Sequence, residues 1–210
     1  MSETRNEQTA EDLDEKTADR DPLKLFRRWF DDAIASGSRL PDAMTLATAT
    51  RDGKPSARMV LLKHADEQGF VFYTNYLSQK ARELDDNPRA ALVLYWVQLD
   101  RQVRVEGEVE RISPAESDEY FETRPRESQI GALASPQSEV IESREILEKR
   151  YAELDDFYRD RSVKRPAHWG GYRLKPERIE FWQNRLGRLH DRILYERQPD
   201  RGWSTKRLAP

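Results

Sequence analysis

Two places in the sequence combine side chains that suit the binding of a phosphate group. Lys80 lies in the first turn of a helical stretch that opens at Ser78, where free backbone N–H groups and the helix dipole attract anions. Tyr120 and Arg124 are four residues apart on a second helical stretch and share a face, and Ser128 follows soon after. A phenol, a guanidinium and a hydroxyl that converge on one point suit a phosphate monoester. Taken singly, an ordinary capped helix and a surface arginine packed on a tyrosine explain the same residues.

A third group of cationic and titratable side chains lies near the C-terminus, in residues 188–192. If this segment is a strand, Arg188, His190 and Arg192 point to the same side. Three such groups side by side repel one another unless an anion compensates them. A solvated edge strand with carboxylate neighbours is the equal alternative. The segment therefore predicts either an anion site or an exposed edge.

Two further features bear on a ligand. Alternation along a strand over residues 58–63 puts Arg58 and Lys63 on opposite faces, so both serve one ligand only if it straddles the strand end or a subunit boundary. Trp182 and Tyr73 could flank a planar ring, although aromatic side chains more often belong to the core. From these residues alone, the sequence indicates a protein that binds phosphorylated ligands and nothing more specific.

Composition excludes several classes of function. The chain of 210 residues has no cysteine, which excludes disulfides, thiolate metal sites and a cysteine nucleophile. Its three histidines are scattered, so we expect no metal site. A net charge of −3, from 36 basic and 39 acidic residues, favours neither nucleic acid nor an anionic membrane as a partner. No apolar run is long enough to span a membrane or to act as a secretion signal, so we expect a soluble, cytoplasmic protein.

Hydrophobic spacing and turn signals predict a strand-rich centre with helices around it. The predicted strands cover residues 43–50, 55–63, 70–74, 90–97, 102–112, 171–174, 178–183 and 188–197, and the first two flank Asp52-Gly53, a strong hairpin signal. Helices are predicted from the Asp21-Pro22 N-cap, over 78–86, from the capping box at 113–116, and over 143–160. Because strands and helices do not alternate regularly, we expect a mainly β, α+β fold with an antiparallel barrel and flanking helices.

The first 20 residues differ from the rest of the chain. They hold seven acidic and three basic side chains, and Leu13 is their only large apolar residue. Such a segment buries too little apolar surface to offset the entropy lost on ordering. We therefore expect a disordered tail over residues 1–20 and one domain over residues 21–210.

As an ordered series, the segments resemble the pyridoxine/pyridoxamine 5'-phosphate oxidase family. The resemblance runs from residue 21 to the C-terminus and is carried by RMVLLK at 58–63, FYTN at 72–75, DRQV at 100–103, YFETRPRESQIGA at 120–132, QS at 137–138, WGG at 169–171, IEFWQ at 179–183, RLHDR at 188–192 and RLAP at 207–210. It implies an antiparallel split β-barrel that binds FMN. It also implies a homodimer with two FMN sites at the subunit interface.

The resemblance further implies which residues bind the ligands. The FMN contacts fall on Arg58, Met59, Val60, Leu61, Leu62, Lys63, Tyr73, Thr74, Gln79, Lys80, Gln102, Gln137, Ser138, Trp182 and Arg192. The substrate contacts fall on Lys63, Tyr120, Arg124, Ser128, Arg188, Leu189 and His190. Among these, Arg188 and His190 are the candidate catalytic residues, which would orient the substrate and handle its proton.

The implied reaction is the FMN-dependent oxidation of pyridoxamine 5'-phosphate and pyridoxine 5'-phosphate to pyridoxal 5'-phosphate, in vitamin B6 biosynthesis and salvage. O2 is the implied acceptor and hydrogen peroxide a product, with ammonia released from the amine. Since the cofactor carries out the redox step, we expect the protein to contribute to catalysis mostly by positioning the substrate. Two alternatives stay open: a split-barrel FMN reductase with a nicotinamide donor, and a carrier of flavin or pyridoxal phosphate.

Two departures from the family pattern stand out. Family members commonly have arginine where this chain has Gln79, so one positive charge at the FMN phosphate is missing and we expect weaker FMN binding. Family members often also carry an N-terminal Arg-x-x-Tyr segment that covers the substrate, but residues 1–20 contain no tyrosine. The second departure concerns closure over the substrate rather than the class of reaction.

Overall fold

The computed structural model describes residues 13–210. Its α-helices are α1 (Pro22–Ala35), α2 (Gln79–Asp86), α3 (Pro114–Thr123), α4 (Arg126–Ala134) and α5 (Arg144–Phe157). Its strands are β1 (Ala43–Ala49), β2 (Pro55–Leu61), β3 (His64–Asp66), β4 (Gly69–Asn75), β5 (Arg89–Trp96), β6 (Arg101–Arg111), β7 (Trp169–Gln183), β8 (Asp191–Arg197) and β9 (Trp203–Arg207). Short 3-10 turns occur at Val97–Leu99 and Leu186–Arg188. Within this part of the chain, no helix has the length and apolar character needed to cross a membrane.

The strands pair in one sheet. Seven follow the order β2-β1-β5-β6-β7-β4-β3, while β8 pairs with β7 and β9 pairs with β8. The β4–β7 pairing is antiparallel and sets Tyr73 opposite Gly171. The β7–β8 pairing is also antiparallel and sets Trp182 opposite Arg192. The expected class, a mainly β fold with flanking helices and antiparallel strands, is confirmed.

The chain divides into two compact units. The first contains the chain up to Ala43 together with Val93–Val105 and Glu177–Pro210, and the second contains Met44–Leu92 and Glu106–Pro176. In the first unit, the buried Trp29 of α1 packs edge-on against Phe181 of β7 with ring centroids 5.2 Å apart.

The second unit has its own aromatic core. Phe121, Ile130, Val163 and Trp169 form a buried cluster, and partly buried side chains of α5 pack against it. Phe121 belongs to α3 and Ile130 to α4, the two helices at which the predicted phosphate-binding residues lie. Burial of its apolar surface is therefore what fixes those helices in place.

Local signals set the ends of several elements as predicted. Asp21 Oδ1 accepts a hydrogen bond from Leu23 N at 2.9 Å, and α1 begins at the next residue after Asp21. At α3, Ser113 Oγ accepts from Glu116 N at 3.1 Å, and Glu116 Oε2 accepts from Ser113 N at 3.1 Å. Both bonds of the predicted capping box are thus present. In the turn between β1 and β2, Gly53 has a φ of 85°, which favours glycine.

Some elements differ from the sequence-based prediction. The strands β3 and β9 and the helix α4 were not predicted, and residues 171–174 and 178–183 belong to one strand, β7. The strand predicted over 55–63 ends at Leu61, and the one predicted over 188–197 begins at Asp191. These two shortened ends matter below, because both carry predicted site residues.

The N-terminal segment also differs in extent from the predicted tail. Residues 1–12 lie outside the described residues. In residues 13–20, Leu13 is buried, Glu15 pairs with Arg207 of β9, and the Asp19 carbonyl accepts from the Tyr195 hydroxyl at 2.7 Å. Residues 13–20 therefore pack against the C-terminal strands of the first unit, although the expected tail extended to residue 20.

Candidate active site

A cavity of about 500 Å³ opens in the second unit. It is lined by Arg58, Met59, Val60, Leu61, Lys63, Tyr73, Thr74, Lys80, Tyr120, Thr123, Arg124, Pro125, Ser128, Gln137 and Trp169. These residues come from β2 and the loop after it, from β4, α2 and α3, from the turn between α3 and α4 and the start of α4, from the turn after α4 and from the start of β7. Of the fifteen, only Thr123, Pro125 and Trp169 are absent from the set that the resemblance implied. The structure thus gathers one large part of the predicted site.

One end of the cavity carries an arginine held by a buried network. Arg58 Nη1 donates to Thr48 Oγ1 at 2.5 Å, and Nη2 donates to Ser56 Oγ at 2.6 Å. Glu83 Oε2 lies 3.3 Å from Arg58 Nη2. Burial by itself raises the pKa of Glu83, but hydrogen bonds from Ser56, Thr48 and Gln79 and the charge of Arg58 bring it down to about 2. Glu83 is therefore ionised at neutral pH.

Lys80 is a buried cation beside this network. Its Nζ donates to Thr74 Oγ1 at 3.1 Å, to Ser78 Oγ at 3.3 Å and to Gln137 Oε1 at 2.9 Å. Burial and, after it, the positive charge of Arg58 lower the pKa of Lys80 to about 8, while the negative charge of Glu83 acts in the opposite direction. An ammonium group surrounded by neutral oxygens is suited to receive an anion.

Three aromatic rings form a stack on another wall. Tyr73 lies 3.9 Å from Tyr120 and 5.3 Å from Trp169, centroid to centroid, with interplanar angles of 16° and 10°. Gly171 permits the close contact of Tyr73 with β7, since a Cβ at residue 171 would lie 2.9 Å from Cε1 of Tyr73 and 2.4 Å from Ile112 Cδ1. Burial raises the pKa of Tyr73 to about 12, and the neighbouring Tyr120 phenol adds to the effect. The stack is a rigid, flat surface in the cavity wall.

Arg124 lies against this stack with an unused hydrogen-bond donor. Its guanidinium carbon is 4.5 Å from the centroid of the Trp169 ring. Among the described residues, no acceptor pairs with its buried Nη1. Burial lowers the pKa of Arg124, although the group stays charged at neutral pH. Arg124 and Ser128 also line an adjoining cavity of about 250 Å³. A buried guanidinium nitrogen without a partner indicates that an anionic ligand completes this part of the site.

The structure places Arg58 and Lys63 around the end of β2, which is one of the two arrangements that the sequence left open for a shared ligand. Both residues line the same cavity. The reason is that β2 ends at Leu61, so strand alternation no longer applies at Lys63, whose backbone N–H instead bonds Val71 O at 2.8 Å. Both cations therefore line one cavity within a single chain.

Three predicted cofactor residues of the second unit do not line the cavity. Leu62 is buried at 6% exposure. Gln79 donates its side-chain amide to Glu83 Oε1 at 2.8 Å. Ser138 is exposed in a turn with a φ of 72°, next to Gln137, which does line the cavity. The FMN-binding roles expected for these residues stay predictions.

The remaining predicted residues belong to the first unit. Gln102 is half-buried on β6, and Trp182 is half-buried on β7, 4.7 Å from the His190 ring. His190 Nδ1 accepts from Arg185 N at 3.2 Å. Arg192 Nε donates to Glu180 Oε1 at 2.8 Å, a contact that raises the pKa of Arg192. Trp182, His190 and Arg192 thus form a second group.

The expected strand geometry of residues 188–190 is wrong. Arg188 ends the turn Leu186–Arg188 with a φ of 63°, and Leu189 beside it is 73% exposed. Because β8 begins only at Asp191, Arg188 and Arg192 are not on one face of one strand. A left-handed backbone at a residue other than glycine is uncommon and is found preferentially at functional sites. The segment 186–190 is therefore an exposed, conformationally unusual loop.

Sequence reasoning missed two residues that shape the cavity. The Arg124 guanidinium lies over the Trp169 ring. In the sequence, Trp169 was marked only by the two glycines that follow it, which allow close packing. Glu83 holds Arg58, but it stands in a charged helix where an acidic residue is ordinarily exposed. Only the burial of Glu83 in the structure, at 5% exposure, distinguishes it.

Two family models match this chain. "Pyridoxamine 5'-phosphate oxidase" matches residues 30–158, and "Pyridoxine 5'-phosphate oxidase C-terminal dimerisation region" matches residues 169–210. The first match covers more than half of the chain and includes the whole cavity lining except Trp169. The chain belongs to the pyridoxamine 5'-phosphate oxidase family. It is accordingly an oxidoreductase of a flavoprotein family.

Full-length relatives support this assignment. A pyridoxine/pyridoxamine 5'-phosphate oxidase of Rubrobacter xylanophilus is 59% identical over 206 residues, covering 98% of this chain and 94% of the relative. One of Nostoc punctiforme is 54% identical over 210 residues, covering 100% and 98%. The resemblance inferred from the ordered motifs is confirmed.

Solved structures show the same fold. PhzG from Burkholderia lata, in complex with tetrahydrophenazine-1-carboxylic acid, has a TM-score of 0.88 at 34% identity, covering 93% of this chain and 95% of that chain. A pyridoxamine 5'-phosphate oxidase-related, FMN-binding protein of Nostoc punctiforme has a TM-score of 0.71 at 18% identity, covering 88% and 97%. The family contains proteins with different ligands, so the substrate has to be argued from the site.

Proposed function

We propose that the protein oxidises pyridoxamine 5'-phosphate and pyridoxine 5'-phosphate to pyridoxal 5'-phosphate, with FMN as cofactor and O2 as the electron acceptor. Hydrogen peroxide is the second product, and the amine substrate also yields ammonia. The observation that carries this proposal is the buried Nη1 of Arg124, which has no hydrogen-bond partner within residues 13–210 and lies in a cavity that also holds Lys63, Tyr120 and Ser128. These side chains match a phosphate monoester.

The residues present fit FMN as well. At the other end of the cavity, Lys80 is a buried ammonium whose hydrogen bonds go to neutral oxygens, and Arg58 lies beside it. We assign these two cations to the FMN phosphate, with Thr74 and Gln137 as further polar contacts. When bound, FMN supplies the hydride acceptor for the oxidation.

The protein's own residues bind and orient the substrate. Arg124 and Ser128 would hold the substrate phosphate, and the Trp169 ring keeps the Arg124 guanidinium in place. Tyr120 belongs to the ring stack and is held with its face parallel to Tyr73. Fixing the phosphate in the same cavity as the proposed cofactor site would position the carbon to be oxidised, and positioning of this kind contributes most of the protein's share of catalysis.

The first-unit residues complete the proposed site through dimerisation. Trp182, Arg188, His190 and Arg192 all lie in residues 169–210, the part that matches the dimerisation-region model. We assign Arg188 and His190 to orienting the substrate and handling its proton, and Gln102, Trp182 and Arg192 to FMN. A homodimer with FMN at the subunit interface would bring these residues to the cavity of the second unit.

The test is an anaerobic titration of the FMN-loaded protein, followed by absorbance of the flavin. Pyridoxamine 5'-phosphate should bleach the flavin band in a single turnover, and air should restore the band with formation of pyridoxal 5'-phosphate and hydrogen peroxide. Pyridoxamine without its phosphate is the matched probe and should bleach the band far more slowly. Because Arg124 and Ser128 would have no anion to hold, the loss should appear in substrate affinity.

Other outcomes assign the protein elsewhere. Bleaching only by a nicotinamide donor would make it a flavin reductase. Tight binding of pyridoxal 5'-phosphate without any bleaching by either substrate would make it a carrier. Equal rates with and without the substrate phosphate would contradict the role given to Arg124.

A further inference from the structure

A buried carboxylate sits behind the cavity and takes no part in the chemistry assigned above. Glu83 lies on α2 with its side chain 6% exposed. Its Oε2 accepts from Thr48 Oγ1 at 2.5 Å and from Ser56 Oγ at 2.6 Å, and its Oε1 accepts from Gln79 Nε2 at 2.8 Å. The same Oε2 lies 3.3 Å from Arg58 Nη2. Glu83 is therefore a negative charge with hydrogen bonds to both of its oxygens, and it lies near the end of the cavity where Arg58 and Lys80 are found.

The terminal nitrogens of Arg58 are occupied by protein oxygens. Nη1 donates to Thr48 Oγ1 at 2.5 Å and, over longer distances, to Leu46 O at 3.3 Å and Ser56 O at 3.4 Å, while Nη2 donates to Ser56 Oγ at 2.6 Å and approaches Glu83 Oε2 at 3.3 Å. Each terminal nitrogen carries two N–H groups, so these five contacts are enough to occupy all four of them. A phosphate that binds Arg58 has either to use Nε or to displace one of these acceptors.

Gln79 strengthens this arrangement. Its side-chain amide donates to Glu83 Oε1 at 2.8 Å and does not line the cavity. The cluster therefore has two cations, Arg58 and Lys80, and one buried anion within hydrogen-bonding distance of the first. A carboxylate this close to Arg58 offsets much of the attraction that the arginine would exert on a phosphate.

We propose that Glu83 competes with the phosphate of bound FMN for Arg58, and that this competition limits the affinity of the cavity for the phosphorylated flavin. The inference rests on the proposed function, because it takes FMN as the ligand at this end of the cavity. Glu83 contacts Arg58 and does not line the cavity, so it is a positioning residue. Riboflavin, which has the same ring system without the phosphate, should be insensitive to it.

The experiment measures the dissociation constants of FMN and riboflavin for the apoprotein by quenching of flavin fluorescence. Glu83→Gln removes the charge and keeps an oxygen that accepts from Thr48 and Ser56. It should lower the FMN dissociation constant by about tenfold and change that of riboflavin by less than about twofold. Asp86→Asn is the matched control, since it removes one negative charge from an exposed position of the same helix, and both constants should stay unchanged.

A second pair of variants shows whether the effect passes through Arg58. In an Arg58→Met background, Glu83→Gln should improve FMN binding much less than in the wild type, because there is no longer a guanidinium for Glu83 and the phosphate to compete for. If Glu83→Gln binds neither flavin, Glu83→Asp replaces it. The shorter side chain retreats from Arg58 and should tighten FMN binding by about threefold, again without an effect on riboflavin.

The results separate this inference from the proposed function. Wild-type apoprotein that binds neither FMN nor riboflavin overturns both. Wild-type protein that binds FMN, with a ratio of FMN to riboflavin affinity that is unchanged or lower in Glu83→Gln, overturns the competition alone. An equal gain in the presence and absence of Arg58 overturns it as well, since Glu83 would then act on the phosphate directly.

Discussion

The cavity of the second unit and the loop 186–190 of the first unit differ in how completely a single chain organises them. In the cavity, Arg58 and Lys80 are each fixed by several hydrogen bonds, and Arg124 rests on an aromatic ring. In the loop, Leu186 is 96% exposed and Leu189 73% exposed, and Arg188 has a left-handed backbone.

This difference indicates which half of the site is preorganised. The cavity is built on strands and helices whose own core holds its side chains, so a single chain already positions the residues that we assign to the two phosphates. The loop presents large apolar side chains in the region that matches the dimerisation model. Exposed apolar side chains of this kind are typical of a surface that a partner covers. We infer that the loop acquires its working conformation only in the homodimer.

The largest expected effect comes from removing the charge of Arg124, which tests the preorganised half directly. Arg124→Met keeps much of the side-chain volume over Trp169 but loses the donor at Nη1. We expect kcat/KM for pyridoxamine 5'-phosphate to fall by about a thousandfold, because a buried charge-assisted contact to the phosphate is lost. Steady-state kinetics measure this. Arg126→Met is the control, since Arg126 is exposed and pairs with Asp155, and its kinetics should stay near wild type.

Lys80 tests the cofactor end of the same cavity. Lys80→Met should raise the dissociation constant of FMN by about a hundredfold and leave that of riboflavin nearly unchanged, because only the phosphate loses a contact. Flavin fluorescence quenching gives both values. Lys54→Met is the matched substitution on an exposed lysine of the β1–β2 turn and should change neither. An equal loss for both flavins would place the effect of Lys80 on folding of the cavity instead.

The comparison also shows what the sequence could predict. Elements with strong local signals were predicted well, such as the capping box of α3 and the hairpin around Gly53. Helix α4 was missed because Pro125 signals the end of α3, whereas here it is also the N-cap of the next helix. Proline lacks the N–H that a helix start leaves unpaired, so it tolerates both positions.

The residues that line the cavity were predictable where the resemblance named them, and not where tertiary packing decided their position. The relation between Arg58 and Lys63 depended on where β2 ends, which alternation along the strand does not reveal. The backbone of Arg188 depended on Gly187, whose φ of 66° begins the left-handed turn. Glu83 had no signal at all, because a buried glutamate and a solvated one have the same spacing in a charged helix.

Arg188 tests the loop. Arg188→Ala should lower kcat/KM by about thirtyfold through a higher KM or a lower kcat, while FMN stays bound, because the residue is assigned to the substrate and not to the cofactor. Arg201→Ala is the control, since Arg201 is also exposed with a left-handed φ of 67° and carries no assigned role. Kinetics and the flavin content after gel filtration distinguish the two. Loss of FMN with unchanged substrate kinetics on reconstitution would contradict the assignment.

Proton uptake at Lys80 should give FMN binding a pH dependence. The pKa of Lys80 is about 8 in the ligand-free cavity, and a phosphate beside it favours the charged form and raises this value. Above pH 8 the free lysine has lost its proton, so binding must take one up, and FMN affinity should fall by about fivefold between pH 8 and pH 9. Calorimetry in two buffers of different ionisation enthalpy detects the proton. Lys80→Arg should abolish the slope, whereas an unchanged slope would assign it to another group.

The smallest expected effect tests whether the cavity tolerates a weakened helix start. Ser113→Ala removes the side chain that accepts from Glu116 N and should lower the free energy of unfolding by about 1 kcal/mol. Chemical denaturation measures this loss, and Ser143→Ala is the control, because Ser143 makes no capping hydrogen bond at α5.

Tyr120 and Arg124 lie at the opposite end of α3 and are held by ring contacts with Tyr73 and Trp169. The KM for pyridoxamine 5'-phosphate should therefore stay within about twofold of wild type, and a larger rise would mean that the helix cap, rather than the aromatic stack, holds the phosphate-binding residues in place.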